Sequence, residues 1–150
     1  MANSHTVNVN SPSFGFTYTA GSSYTGDASI ALVEVSCAPP IVTGGSCPRS
    51  SDNKCVCSPN WNCNSGTYSG QYANSQTCTA SFSGPATLSS SYFSTEPCCD
   101  KVYTARVGTA GEVPYSGSSG PNGVVATSLR WYTDGSVLGY GFKICLGHPV

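Results

Sequence analysis

The sequence predicts an all-β protein, an antiparallel β-sandwich, and three observations lead there. No segment of the 150 residues carries a helical stripe of apolar side chains. Gly (17) and Pro (10) recur along the whole chain, with β-branched and aromatic residues gathered in short runs between them. Nine cysteines in so short a chain suit a small fold braced by covalent bonds.

The expected strands are residues 6–10, 14–19, 29–36, 78–82, 87–93, 101–107, 124–132 and 141–146. Alternation is clearest in 124–132, where Val125, Leu129 and Trp131 fall on one face and Ser128, Arg130 and Tyr132 on the other. Turn chemistry separates the runs, as Ser83-Gly84-Pro85, Pro121-Asn122-Gly123 and Asp134-Gly135. Residues 38–60 differ. They are poor in apolar side chains and broken by Pro39-Pro40, Gly44-Gly45 and Pro59. Six of the nine cysteines lie within 37–78. This stretch reads as a disulfide-stapled loop that joins an N-terminal strand pair to the main sheet. Residues 1–62 are therefore expected to form an N-terminal extension, packed on a sandwich of residues 63–150.

Charge excludes several functions. Charged residues are 9% of the chain, against about 25% in an ordinary soluble domain. A formal net charge of −1 supplies no basic stripe for phosphates, so no nucleic-acid partner is expected. No run of 18 apolar residues predicts a membrane span. Zinc is disfavoured because Cys55-Val56-Cys57 is too tight for a Cys-x2-Cys arm, and His5 and His148 lie near the ends of the chain. Disulfides are the better use of the cysteines, and they imply an oxidising, extracellular location. Nine is odd, so one sulfur is left either buried or available for self-association. Met1-Ala-Asn-Ser-His5 lacks the basic and apolar regions of a signal peptide, which predicts a mature secreted chain. There is no Asn-x-Ser/Thr sequon.

From about Cys63 onward, ordered motifs resemble those of the CUB domain, an extracellular β-sandwich of jelly-roll type. They are Ser65-Gly-Thr-Tyr-Ser-Gly-Gln-Tyr-Ala-Asn-Ser75 before Cys78, and Thr87-Leu-Ser-Ser-Ser-Tyr-Phe-Ser-Thr-Glu96. Cys98-Cys99-Asp100-Lys-Val102, Trp131-Tyr-Thr-Asp134-Gly-Ser136 and Gly141-Phe142-Lys143 follow in the family's order. The Glu96–Asp100 segment is shorter than in the family, and the usual cysteine between Asp100 and Asp134 is absent. The resemblance implies a bond between Cys63 and Cys78, and one from Cys145 to Cys98 or Cys99. A bond between the two neighbouring cysteines is expected to be strained. The resemblance also implies a calcium ion held by Glu96, Asp100 and Asp134, supported by Tyr68 or Tyr72 and completed by a backbone oxygen near Ser136. Such a hard cation takes six to eight oxygens from converging segments.

The expected function is a non-catalytic extracellular module, calcium-assisted, that binds a protein or a glycan. Nine tyrosines and two tryptophans in a chain so poor in charge suit a contact face, with Tyr132 and Tyr140 its exposed members. Trp131, alternating with Leu129, is expected in the core. The competing reading is a self-assembling wall, matrix or filament protein, favoured by Ser/Gly/Tyr richness and the odd cysteine. A small secreted hydrolase ranks third, because both histidines lie where order is hardest to maintain and no paired-carboxylate motif is evident.

Overall fold

The computed structural model describes residues 4–6, 17–19, 41–45 and 47–147. The chain divides into two compact units, Met1–Val35 and Ser36–Val150. In the first, β1 (Ser4–Thr6) pairs antiparallel with β2 (Thr17–Thr19) in the register His5↔Tyr18. The expected strand at 29–36 lies outside the described residues, as do Cys37 and His148.

The second unit is an antiparallel β-sandwich with no helix among the described residues. Its strands are β3 (Ile41–Gly45), β4 (Cys55–Cys57), β5 (Trp61–Asn62), β6 (Thr67–Tyr68), β7 (Thr77–Ser94), β8 (Lys101–Arg106), β9 (Glu112–Tyr115), β10 (Val124–Tyr132) and β11 (Gly141–Gly147). Hydrogen bonding runs β4-β11-β7-β10-β8-β9, with β3 also on β7. β5 and β6 form a separate hairpin.

The 18 residues of β7 belong to both layers. Its first part pairs with β3 as far as Phe82↔Ile41, and its last part pairs with β11 from Thr87↔Gly147 to Ser94↔Gly141. Between these, five residue steps on β7 (Ser81 to Ala86) oppose two on β10 (Ser128 to Ala126). The expected turn Ser83-Gly84-Pro85 is thus a bulged corner inside one strand. Pro85 has no N–H to give a ladder, and a bulge is where a sheet tolerates that.

A ring contact shows that the strand folds over. Trp131 pairs with Cys78 and Phe142 pairs with Phe93. Fifteen residues of extended chain would hold these partners roughly 50 Å apart. Yet the Trp131 and Phe142 rings meet edge-on at 5.3 Å. Around them Ile41, Ala80, Leu88, Val102, Leu129 and Ile144 are fully or almost fully buried. Burying such side chains supplies about 1.5–3 kcal/mol each.

Three other expectations change. Residues 38–60 are not simply a loop, since β3 and β4 lie in them and pair with β7 and β11. Among the described residues of this stretch, Ile41, Cys47 and Val56 enter the main core and Cys57 a second, smaller cluster, too few to show as a pattern. In β10 the core residues are Ala126, Leu129 and Trp131, and Val125 is only half-buried. The bulge between Ala126 and Ser128 shifts the alternation by one residue.

The disulfides pair differently from the family's pattern. Cys63 bonds Cys57, Cys78 bonds Cys47, Cys145 bonds Cys55, and Cys98 bonds Cys99. Cys145 and Cys55 are directly opposite in the β4–β11 ladder, with Cα atoms 4.0 Å apart. Cys98 and Cys99 sit in a bend after β7 rather than on a strand. Strand alternation therefore does not drive their sulfurs to opposite faces.

Candidate functional site

Three connections meet around one buried carboxylate. Segment 69–76 leads into β7, segment 95–100 joins β7 to β8, and segment 133–140 joins β10 to β11. Tyr72, from the first, is buried with its ring edge-on to Trp131 at 5.1 Å. Its hydroxyl donates to Asp100 Oδ2 at 2.6 Å and accepts from the Glu96 backbone N–H at 3.0 Å. Asp100 is 0% exposed, and its Oδ1 accepts the Asp134 backbone N–H at 2.8 Å. The core therefore sets the phenol, and the phenol positions both ends of the 96–100 turn.

The loops are tied to one another. The Ser75 N–H donates to the Asp134 carbonyl at 2.7 Å, and the Thr133 hydroxyl donates to the Ala73 carbonyl at 3.1 Å. Thr95 Oγ1 donates to the Asp100 carbonyl and accepts the Gly117 N–H, which pins the acidic turn to the chain after β9. Asp134 Oδ1 accepts the Ser136 N–H at 2.9 Å, an Asx turn that orients its carboxylate. Gly139 permits a close approach, since a Cβ there would meet the Ser94 carbonyl oxygen at 2.5 Å.

Glu96, Asp100 and Asp134 each place one carboxylate oxygen so that all three lie within 4.8 Å of one another. Glu96 Oε2 is buried without a hydrogen-bond partner. Desolvation raises the Glu96 carboxyl above its ordinary value, and the charges of Asp134 and Asp100 push the same way. Such a set of hard oxygens fits a divalent cation that would neutralise it. Of the two tyrosines open from the sequence, Tyr72 stands at the acids, while Tyr68 stands elsewhere, in a ring cluster. Tyr132 is exposed and lines a small groove with Asp134 and Gly135.

That ring cluster, largely unmarked in the sequence, occupies the outer side of the β4-β11-β7 layer. Val56 and Ile144 point into the core and pair with each other, so Cys57 and Lys143, paired beside them, face away. Phe93 is likewise in the core and its neighbour Tyr92 is outside it. Over this face the β5–β6 hairpin sets Trp61 opposite Tyr68. Trp61 lies 4.9 Å from Tyr92, and Tyr68 lies 5.5 Å from Tyr140, ring centre to ring centre. Trp61 Nε1 donates to the Tyr140 carbonyl at 2.7 Å, joined by Asn60 Nδ2 at 2.9 Å, which holds the 138–140 loop against the hairpin. Burial raises the Tyr92 phenol above its ordinary value, with further contributions from Tyr68 and Tyr140. The signals in the sequence were the Asn64-Ser65-Gly66 turn between Trp61 and Tyr68 and the alternation of Tyr92 with Phe93.

Comparison with family models, with curated proteins and with solved structures finds no match to this chain.

Proposed function

We propose that this chain is a non-catalytic extracellular recognition module, similar to CUB domains, that holds one calcium ion between Glu96, Asp100 and Asp134. The observation that carries the reading is the convergence of these three carboxylates around a fully buried aspartate. They are three of only seven acids in the chain, and without a cation their mutual repulsion opposes the fold. Calcium would remove that repulsion and give the otherwise unpartnered Glu96 Oε2 a ligand. Its outward side would then be available to a cationic group of a protein or to the hydroxyls of a glycan. The four disulfides support an extracellular location. The ordered motifs from Cys63 to Lys143 support the likeness to CUB domains, although the disulfide pairing departs from the one they imply.

The test is a thermal melt in millimolar calcium and in chelator, on the wild type and on Asp134→Ala. Binding confined to the folded state adds about 2.7 kcal/mol at a hundredfold excess over Kd. Extracellular modules bind calcium at about 10⁻⁴–10⁻³ M, so the shift grows across the millimolar range. The wild type is expected to melt higher in calcium, and the variant equally in both conditions. A wild-type melting temperature indifferent to calcium rejects the metal site.

A further inference from the structure

We infer that the aromatic face around Tyr68 and Tyr140 is a second binding site, and that its ligand is a neutral oligosaccharide. This rests on the recognition-module reading and gives that module a ligand class, but it uses none of the acidic residues.

Ring placement is the first argument. Tyr68 and Tyr140 are 44% and 45% exposed, and their rings lie side by side at 5.5 Å, so together they present one open aromatic surface. Each is nevertheless fixed. Tyr68 packs on Trp61 at 5.2 Å and on Tyr92 at 5.8 Å, and the backbone of Tyr140 is held by Asn60 and Trp61. Rigid, exposed, amphipathic rings offer apolar area at low entropic cost. A pyranose presents such rings with a face of C–H groups and an edge of hydroxyls.

The groove lined by Tyr68, whose ring also packs against Tyr140, supplies the polar half. It has a volume of about 520 Å³, within the size range of small-ligand sites. Trp61 and Tyr68 form its apolar side, and Asn62, Asn64 and Thr67 contribute amides and a hydroxyl. The Asn62 Oδ1 accepts the N–H groups of Asn64 and Ser65, and the Asn64 Oδ1 accepts the Ser51 N–H. These bonds orient both side chains and leave their NH2 groups to donate outward, where sugar hydroxyls can accept. Among the described residues no carboxylate lines the groove, and the one cation that does, Arg49, donates to the Ile41 carbonyl at 2.6 Å. A lining of rings, amides and hydroxyls with a single cation suits an uncharged polyol better than a charged peptide or a phosphate, which would call for several charged partners.

Affinity electrophoresis of the intact, oxidised protein tests this, in native gels containing soluble mannan, galactomannan, xyloglucan or mixed-linkage β-glucan. Chitohexaose is added separately, with tryptophan fluorescence as the readout. At least one of these carbohydrates is expected to retard the protein or to change its fluorescence. Tyr68→Ala and Tyr140→Ala should each weaken the effect at least tenfold. Tyr68→Phe, which keeps the ring, should retain it within about threefold, and so should Val107→Ser at an exposed position in the β8–β9 turn. Thermal melts of the same variants identify any that fail to fold, and Tyr68→Phe and the fluorescence titration remain informative in that event. Absence of an effect with every carbohydrate overturns the inference, as does an effect indifferent to both alanine variants. Concentration-dependent dimers abolished by those variants, without carbohydrate binding, overturn it in favour of a second copy of the chain. Binding that persists in chelator and in Asp134→Ala supports this site even where calcium has failed. New reducing ends in the polysaccharide would instead reject the non-catalytic reading and leave the groove standing.

Discussion

The Tyr72 hydroxyl and Asp100 Oδ2 lie 2.6 Å apart inside the protein, joining the sandwich core to the acidic turn. On one side the phenol ring packs on Trp131. On the other, its oxygen serves both the buried carboxylate and the Glu96 backbone. A single side chain thus transmits the position of the core to the turn that carries Glu96 and Asp100.

Tyr72→Phe separates packing from hydrogen bonding. The ring stays against Trp131, but Asp100 loses a donor and the Glu96 N–H loses its acceptor. Hydrogen bonds to charged groups contribute about 1.5–3 kcal/mol, so a loss of that size is expected in urea denaturation. Tyr72→Ala should cost more, about 3–5 kcal/mol, because it also removes the ring. A phenylalanine variant as stable as wild type would show that Asp100 does not depend on the phenol.

Alkaline pH should unfold the protein through the same residue. Burial, and then the hydrogen bond to Asp100, raise the Tyr72 phenol above its ordinary value of 10.0. The unfolded chain therefore ionises first, and above about pH 10 the folded state holds the extra proton. Stability is fully present below that pH and declines as the pH climbs towards the folded value. Absorbance at 295 nm should show Tyr72 ionising only as circular dichroism reports unfolding. Tyr72→Phe should flatten the decline. An equal decline in the variant would assign it to other groups.

The disulfides should differ in what they contribute. In the chain-entropy model the bond closing the longest loop constrains the unfolded chain most. Cys55–Cys145 spans 90 residues, Cys47–Cys78 spans 31 and Cys57–Cys63 spans 6. Paired serine substitutions should cost about 4–5, about 3–4 and about 2 kcal/mol in that order. Denaturant midpoints of the three double variants check the ranking. Separately, cleavage after Phe93 and Lys101 should release a peptide two hydrogen masses lighter than its dithiol form. Finding Cys98 or Cys99 joined to any other peptide would contradict the pairing.

The fold class was legible because strands and turns are local. β8, β10 and β11 lie close to their expected positions, since each alternates or is rich in β-branched and aromatic residues. What escaped was set by partners far along the chain. Ser83-Gly84-Pro85 has the chemistry of a turn, and only the exchange of β3 for β11 makes it a corner within β7. Val125 and Ala126 cannot be ranked without the opposing bulge. Cysteine partners follow from register, as with Cys55 and Cys145, and spacing carries no register. The acidic triad was visible through its motifs, but the choice between Tyr68 and Tyr72 needed the β5–β6 hairpin, which turns Tyr68 towards Trp61.

The sharing of β7 between both layers bears on how the protein comes apart. β3 flanks its first part, β11 flanks its last, and β10 follows it on both sides of the corner, from Thr77 to Leu88. Neither layer can be lost while the other keeps its central strand, so the layers should melt as one cooperative unit rather than as separable subdomains. Amide hydrogen exchange along β7 should proceed at a single, globally limited rate on both sides of Pro85. The isolated β5–β6 hairpin, with two residues in each strand, should exchange through local openings well before it. The rings of Trp61 and Tyr68, packed on Tyr92 and braced by the Cys57–Cys63 bond, would keep the groove in shape between those openings, while the core beneath keeps its protection.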